Sequence, residues 1–237
     1  ITAMLLGEPP ATQADLHFRL FGIPVRVHPF FWIVALILGM GGLTGREAEP
    51  LVTLLWVVAM FVSILVHELG HAFMQRYYGG HPWITLVAMG GMASCDDCDR
   101  SPTSQIIIAA AGPAAGFLFA AAVYPLTTES IGPNLSRVPW ILVQFFLWIN
   151  VVWGAINLLP IYPLDGGRIA RELFTIWGNP HQGIVRSLWL SVVCAAGVAV
   201  WGLSLGSLVI LLMFGYLAYL NYQSIQAYQG YGTGREW

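Results

Sequence analysis

Apolar runs of near-bilayer length, set apart by short polar breaks, organise this chain from residue 29 onwards. A helix needs about 20 mostly apolar residues to cross a bilayer core. Six stretches meet or approach that length: roughly 29–44, 51–77, 105–126, 139–159, 185–203 and 206–225. The first is short and rich in glycine at its end. Two segments follow a different pattern. DLHFRLFGIPVRV, before the first run, alternates loosely and predicts a short strand. HPWITLVAMGGM, after the second run, has the content of a strand. The pattern predicts an all-α polytopic membrane protein of about six transmembrane helices. It divides into an N-terminal cytoplasmic segment with a short strand (1–28), a six-helix membrane domain (29–225) and a cytoplasmic tail (226–237).

Composition agrees with the pattern. Residues are 57% hydrophobic and only 9% charged, with a mean hydropathy of +0.69. Soluble domains carry about 25% charged residues, so this chain could not clothe a water-facing surface. The first 27 residues lack the basic start and apolar core of a secretory signal peptide. Net charge is −2 and no polybasic tract is present, which argues against nucleic acid as a partner. The three cysteines are too few for a disulfide framework.

The arginines orient the chain, because positively charged loops stay cytoplasmic. With the N-terminus inside, the cytoplasmic segments hold Arg19, Arg26, Arg76, Arg100, Arg168, Arg171, Arg186 and Arg235, and the other side only Arg46 and Arg137. The expectation is a multi-pass protein of a bacterial cell membrane with both termini cytoplasmic. Trp140, Tyr216, Tyr219 and Tyr222 fit interfacial anchoring or, equally, packed helix contacts.

Against this apolar background, VSILVHELGHAF places His67, Glu68 and His71 inside the second run. On a helix, positions i and i+4 share a face, so both imidazoles reach one tetrahedral metal ion. Glu68 lies beside the pair, where it can take a proton from water that zinc acidifies towards a pKa of about 7. Each ionisable group at a bilayer centre costs about 2.5–3.5 kcal/mol on insertion scales, a cost that ligation offsets.

Two histidines leave a catalytic site one protein ligand short. The candidate is Asp165 in NLLPIYPLDGGRI, the only acidic residue there before Glu172. Pro160 and Pro163 forbid a continuous helix, and Gly166 and Gly167 allow a tight turn that brings Asp165 inward. The second and fourth runs both pass outward to inward, so His71 and Asp165 fall on the same, cytoplasmic, half. The alternative is Asp165 as the N-cap of RIARELF.

Together, VHELGHAFMQRYYGG and NLLPIYPLDGGRI resemble the two motifs of the site-2 protease family of intramembrane zinc metalloproteases. The resemblance covers roughly His17 to Glu172. It implies one Zn²⁺ per chain on His67, His71 and Asp165, with Glu68 activating water. It also implies hydrolysis of a peptide bond within or next to a substrate's transmembrane segment, with Asn157 bonding the substrate or the tetrahedral intermediate. HPWITLVAMGGM becomes the family's short membrane-associated β-hairpin, an edge able to pair with an unwound substrate; an ordinary surface hairpin is the other reading. GPAAG puts Gly116 where the family has Asn, which leaves a polar contact in doubt. GIPVRVHPFFW is similar to the segment before the family's first span, and His28 there reads as an interfacial or packing residue.

With no PDZ module or nucleotide-sensing domain in view, the minimal form of the family is the expectation. Expected partners are the lipid bilayer, a membrane-protein substrate and, for control, a regulatory membrane protein. The competing class is a non-catalytic zinc-binding protein of the same fold, acting as a partner or chaperone. Asn150, seven residues before Asn157, reads as interhelical glue. CDDCDR reads as a solvated acidic loop that carries two thiols, a redox pair or weak metal site being the alternative. Cys194 reads as packing.

Overall fold

The computed structural model describes residues 8–42, 49–88, 90–128, 130–177 and 179–232. Arg46, Arg235 and the first seven residues therefore lie outside the described part, as do the last five of the expected tail. The packing falls into two compact units, Ile1–Asp99 with Ala111–Gly154, and Arg100–Ala110 with Ala155–Trp237.

The first unit begins with strands β1 (Leu16–Leu20) and β2 (Ile23–Val27), joined by a two-residue turn at Phe21 and Gly22, both with positive φ. Such a turn matches the right-handed twist of a hairpin. The left-handed Phe21 is held from two sides: its ring lies 5.7 Å from that of Phe73, and its carbonyl accepts from Arg76 Nη1 at 3.0 Å. Asp15, just before β1, accepts from Thr12 Oγ1 at 2.6 Å and from Arg26 Nε at 2.6 Å, which holds its carboxyl well below the usual range.

After β2 the chain enters α1 (Pro29–Ile37), a π turn (Leu38–Gly42) and α2 (Pro50–Tyr77). His28 is buried, which fits the packing role expected of it, and it is also the N-cap of α1, its Nδ1 accepting from the N–H of Phe30 at 3.2 Å. Gly79, at φ +86, ends α2, with Gly79 N–H bonded to the Arg76 carbonyl and Gly80 N–H to that of Gln75. This paired cap satisfies the last carbonyls of the helix.

Strands β3 (His81–Val87) and β4 (Gly90–Asp96) form the hairpin expected after α2. The sheet it joins is larger than the sequence suggested. β2 pairs with β3 in parallel, Val25 opposite Ile84, giving one sheet in the order β1-β2-β3-β4. Parallel neighbours require a long crossover connection, here α1 and α2. The inward residues Ile23, Val25, Val27, Ile84 and Leu86 pack with Phe31, Ala59, Met60 and Ile64 of α1 and α2.

The unit continues through α3 (Pro102–Val123, from Ala111 on), α4 (Arg137–Trp148) and a π turn (Ile149–Trp153). Glu49 and Arg137 pair where α2 and α4 begin. Asn150, inside the π turn, donates from Nδ2 to Ser63 Oγ at 2.9 Å and to the Phe146 carbonyl at 2.8 Å. It is interhelical glue, as expected. The π turn also interrupts the continuous helix on which Asn150 and Asn157 were placed at i and i+7.

The second unit holds the short α5 (Gly154–Asn157, from Ala155 on), α6 (Asp165–Ile176), α7 (Pro180–Ser204) and α8 (Leu208–Gly232). α7 and α8 form an antiparallel pair turned at Gly206, φ +68. A Cβ on Gly202 would lie 2.5 Å from Ile210, so glycine there sets the closeness of the pair. Ile161, Ala195, Ala199 and Phe214 form the core of this unit.

Among the described residues, five helices are long and apolar enough to cross a membrane, at Pro50–Tyr77, Pro102–Thr127, Arg137–Asn157, Pro180–Ser204 and Leu208–Gln229. Leu54, Val58, Leu118, Val193, Val200 and Leu212 are exposed on them, as lipid-facing positions should be. Tyr216, Tyr219 and Tyr222 are exposed too, which favours anchoring over buried packing. The first expected span is shorter, a 9-residue α1 followed by the π turn with Gly41 at φ 90. At about 1.5 Å per residue such a helix reaches only part-way across a bilayer. α8 also runs past 225, so residues 226–232 are helix rather than tail.

Candidate metal centre

His67, Glu68 and His71 sit where α2 is buried, each less than a tenth exposed. The helical spacing does what the motif requires: the two Nε2 atoms are 3.1 Å apart and the rings nearly perpendicular, at 77°. Two neutral imidazoles have no reason to bring these nitrogens together except a shared proton or a shared cation.

Small residues on α3 make room for them. A Cβ on Gly112 would overlap Nε2 of His71 and lie 2.8 Å from Nε2 of His67. A Cβ on Gly70 would overlap the Ala111 carbonyl and lie 2.8 Å from Cβ of Ala115. The small residues of this stretch therefore let α3 approach α2 closely. The approach also has a specific use, because Gly112 leaves open the space in front of both ring nitrogens. Gly116 faces Asn150 instead: its Cβ position is 3.3 Å from Asn150 Oδ1. An amide thus stands opposite the position where the resemblance led one to expect Asn.

Glu68 is walled on another side by the hairpin. A Cβ on Gly91 would lie 2.8 Å from Glu68 Oε1 and overlap its Cγ. The glycines of VAMGGM thus let the edge strand β4 run directly past the carboxylate.

Asp165 is the first residue of α6; the N-cap position is Leu164, and no side-chain cap is made there. Asp165 therefore does not occupy the N-cap position itself. Gly166 and Gly167 act differently from the tight turn expected of them. Neither has positive φ. Both lie in the first turn of α6, where a Cβ on Gly166 would overlap the Leu158 carbonyl and one on Gly167 would lie 2.6 Å from that of Ile161. They are needed for close backbone approach, which draws the preceding loop onto the start of α6.

Two residues that sequence reasoning passed over fix that loop. Ser191 Oγ accepts from Tyr162 N–H at 3.0 Å, and Asn221 Nδ2 donates to the Tyr162 carbonyl at 2.6 Å. Both are at most 2% exposed, so the two backbone groups of Tyr162 are satisfied by side chains inside the protein. The signal was available, since a lone amide in an apolar helix usually has a partner. Asn221→Leu should lower stability by about 1–3 kcal/mol, because it strands a buried carbonyl. Thermal unfolding in detergent checks this, and Ser191→Ala should give a smaller loss.

The ligand atoms of His67, His71 and Asp165, all three buried, lie within 4.8 Å of one another. Two imidazoles and one carboxylate are a zinc donor set, and Gly112 keeps a side chain out of the space before the ring nitrogens, so the residues present fit the metal. Asn157 closes α5, half-buried, and among the described residues its amide has no hydrogen-bond partner.

A buried H-E-x-x-H on a helix of bilayer length marks a membrane-embedded protein of metallopeptidase type. Peptidase family M50 matches residues 55–136 and 136–200. The chain therefore belongs to peptidase family M50, the site-2 proteases. It is 29% identical to a zinc metalloprotease of Methanocaldococcus jannaschii over 67% of this chain and 44% of that one. It is 30% identical to stage IV sporulation protein FB of Bacillus subtilis over 65% and 48%. The chain thus spans less than half the length of these curated relatives. Its fold is similar to that of the site-2 protease from Methanocaldococcus jannaschii, with a TM-score of 0.61 at 23% identity, over 89% of this chain and 95% of that one.

Proposed function

We propose that the chain is an intramembrane zinc endopeptidase that cuts a membrane-protein substrate within or next to a transmembrane segment. The observation that carries this reading is the grouping of the Asp165 carboxylate with two imidazoles borne by an apolar helix of bilayer length. His67, His71 and Asp165 would hold one Zn²⁺, which when bound supplies a Lewis acid for the scissile carbonyl and a water acidic enough to react at neutral pH.

The chain's own residues supply the rest. Glu68 takes the proton from the attacking water on its carboxylate and passes it to the amide nitrogen as the C–N bond breaks. Asn157 donates its free amide to the substrate. β4, at the edge of the sheet and against Glu68 through Gly91, offers a ladder to which an unwound substrate segment adds as a further strand. The arginine bias supports an opening on the cytoplasmic side. Control would come from a second membrane protein or from trimming of the substrate.

Asp165→Ala tests the ligand assignment. The purified variant should bind zinc at least tenfold more weakly than the wild type in a competition with a chromogenic chelator, while keeping its helical circular dichroism. Wild-type affinity in this variant would remove Asp165 from the site.

A further inference from the structure

Cys95 and Cys98 are joined as a disulfide, with their Cα atoms 6.0 Å apart. Cys95 lies opposite Pro82 near the end of the β3–β4 ladder, and Cys98 follows in the loop towards α3. Between them Asp97 is left-handed, at φ 57, a conformation that Asp tolerates better than most residues. The sulfurs rest on the residue after the cap of α2. A Cβ on Gly80 would overlap both, and Cys98 Sγ is 3.9 Å from the Gln75 carbonyl oxygen.

Residues 91, 93 and 95 alternate along β4, and each meets α2 or its end. Gly91 lies on Glu68, the Ala93 carbonyl accepts from Gln75 Nε2 at 2.9 Å, and Cys95 lies on Gly80. The strand thus lies against the catalytic helix or its end at three successive points, and at the last of them the contact with Gly80 is made by the two sulfurs of the Cys95–Cys98 bond. We propose that Cys95 and Cys98 are a reversible thiol–disulfide staple that closes the end of β4 on itself and seats it on Gly80, so that reduction loosens the strand lying on Glu68. Both cysteines are half-buried, flanked by the exposed Asp96 and Asp97, which leaves the bond open to small thiols.

The exchange balances with an external small-molecule disulfide. One cysteine thiolate attacks it and expels one thiolate; the second cysteine attacks the mixed disulfide and expels the other. The two cysteine protons end on the two expelled thiolates, the pair is oxidised by two electrons, and the external disulfide becomes two thiols. A dithiol or phosphine reductant reverses the change.

The consequence for cleavage rests on the protease reading; the staple itself does not. The full chain in detergent is compared after oxidised glutathione and after tris(2-carboxyethyl)phosphine, by thiol alkylation mass, hydrogen exchange, zinc content and substrate cleavage. Reduction should add two alkylatable thiols, raise exchange over residues 90–96 at least tenfold and lower cleavage at least fivefold at constant zinc. The Cys95→Ser, Cys98→Ser double variant should show the reduced behaviour under both conditions. Equal exchange in the two states overturns the proposal, and altered exchange with measurable but equal cleavage overturns its consequence for Glu68. If exchange responds but the wild type cleaves nothing in either state, the staple stands and the protease reading falls.

Discussion

The Glu68→Gln protein should keep one zinc per chain and yet produce no fragments of a membrane substrate expressed with it. Gln matches Glu in shape, so the side chain still fits the space between α2 and Gly91. What it loses is the ability to accept a proton from the attacking water. General-base contributions are commonly about 10²–10⁴-fold, or about 3–5 kcal/mol of barrier. The measurement is a comparison of membrane-protein fragments in cells expressing either form, with metal content determined on the purified proteins. Equal fragments from both would remove the base assignment and favour a non-catalytic binding protein. Loss of zinc from the variant would mean that Glu68 shapes the metal site instead.

A larger disturbance is expected from a residue that carries no functional group. Gly112→Ala puts a methyl where the two histidine nitrogens converge, overlapping His71 Nε2 and 2.8 Å from His67 Nε2. The α3 backbone cannot withdraw easily, since Pro113 is fully buried and Ala111 is already pressed against Gly70. The rings must turn away instead. Overpacking of this kind costs about 1–3 kcal/mol, and zinc affinity should fall at least a hundredfold with cleavage. Gly197→Ala on α7 is the control, because its Cβ would meet nothing within 4 Å. A helical Gly→Ala change there should be neutral or stabilising by up to about 1 kcal/mol. Full zinc retention in Gly112→Ala would show that the nitrogens do not face a shared ion.

What was legible in the sequence was local. Hydropathy runs mark helices because lipid demands them, and H-E-x-x-H fixes two side chains on one face at a spacing set by the helix alone. Asp165 came within reach because so few acidic residues compete with it. Features that depend on distant partners were not visible. Nothing in GIPVRV or HPWITLV says that these segments pair in parallel across two helices. Gly166 and Gly167 looked like turn residues because close backbone approach leaves no mark in sequence distinct from turning. Ser191 and Asn221 were single polar residues whose common partner, Tyr162, lies in another segment. The thiols of CDDCDR looked like solvated loop residues until the fold set both against Gly80.

The order of strands in the sheet gives it two ends of opposite character. β1, carrying His17 and Arg19 in five residues, is a blunted end of the kind that discourages further pairing. β4, which begins Gly90–Gly91, carries no such guard over most of its length. The N-terminal hairpin thereby acts as a stopper: it occupies the side of β3 that would otherwise be a second docking rail, in the opposite direction and away from Glu68. On the proposed reading of β4 as a docking rail, a chain shortened to begin at His28 would keep His67, His71 and Asp165 but offer two rails instead of one, and mispairing or self-association through the bared β3 would be its characteristic failure.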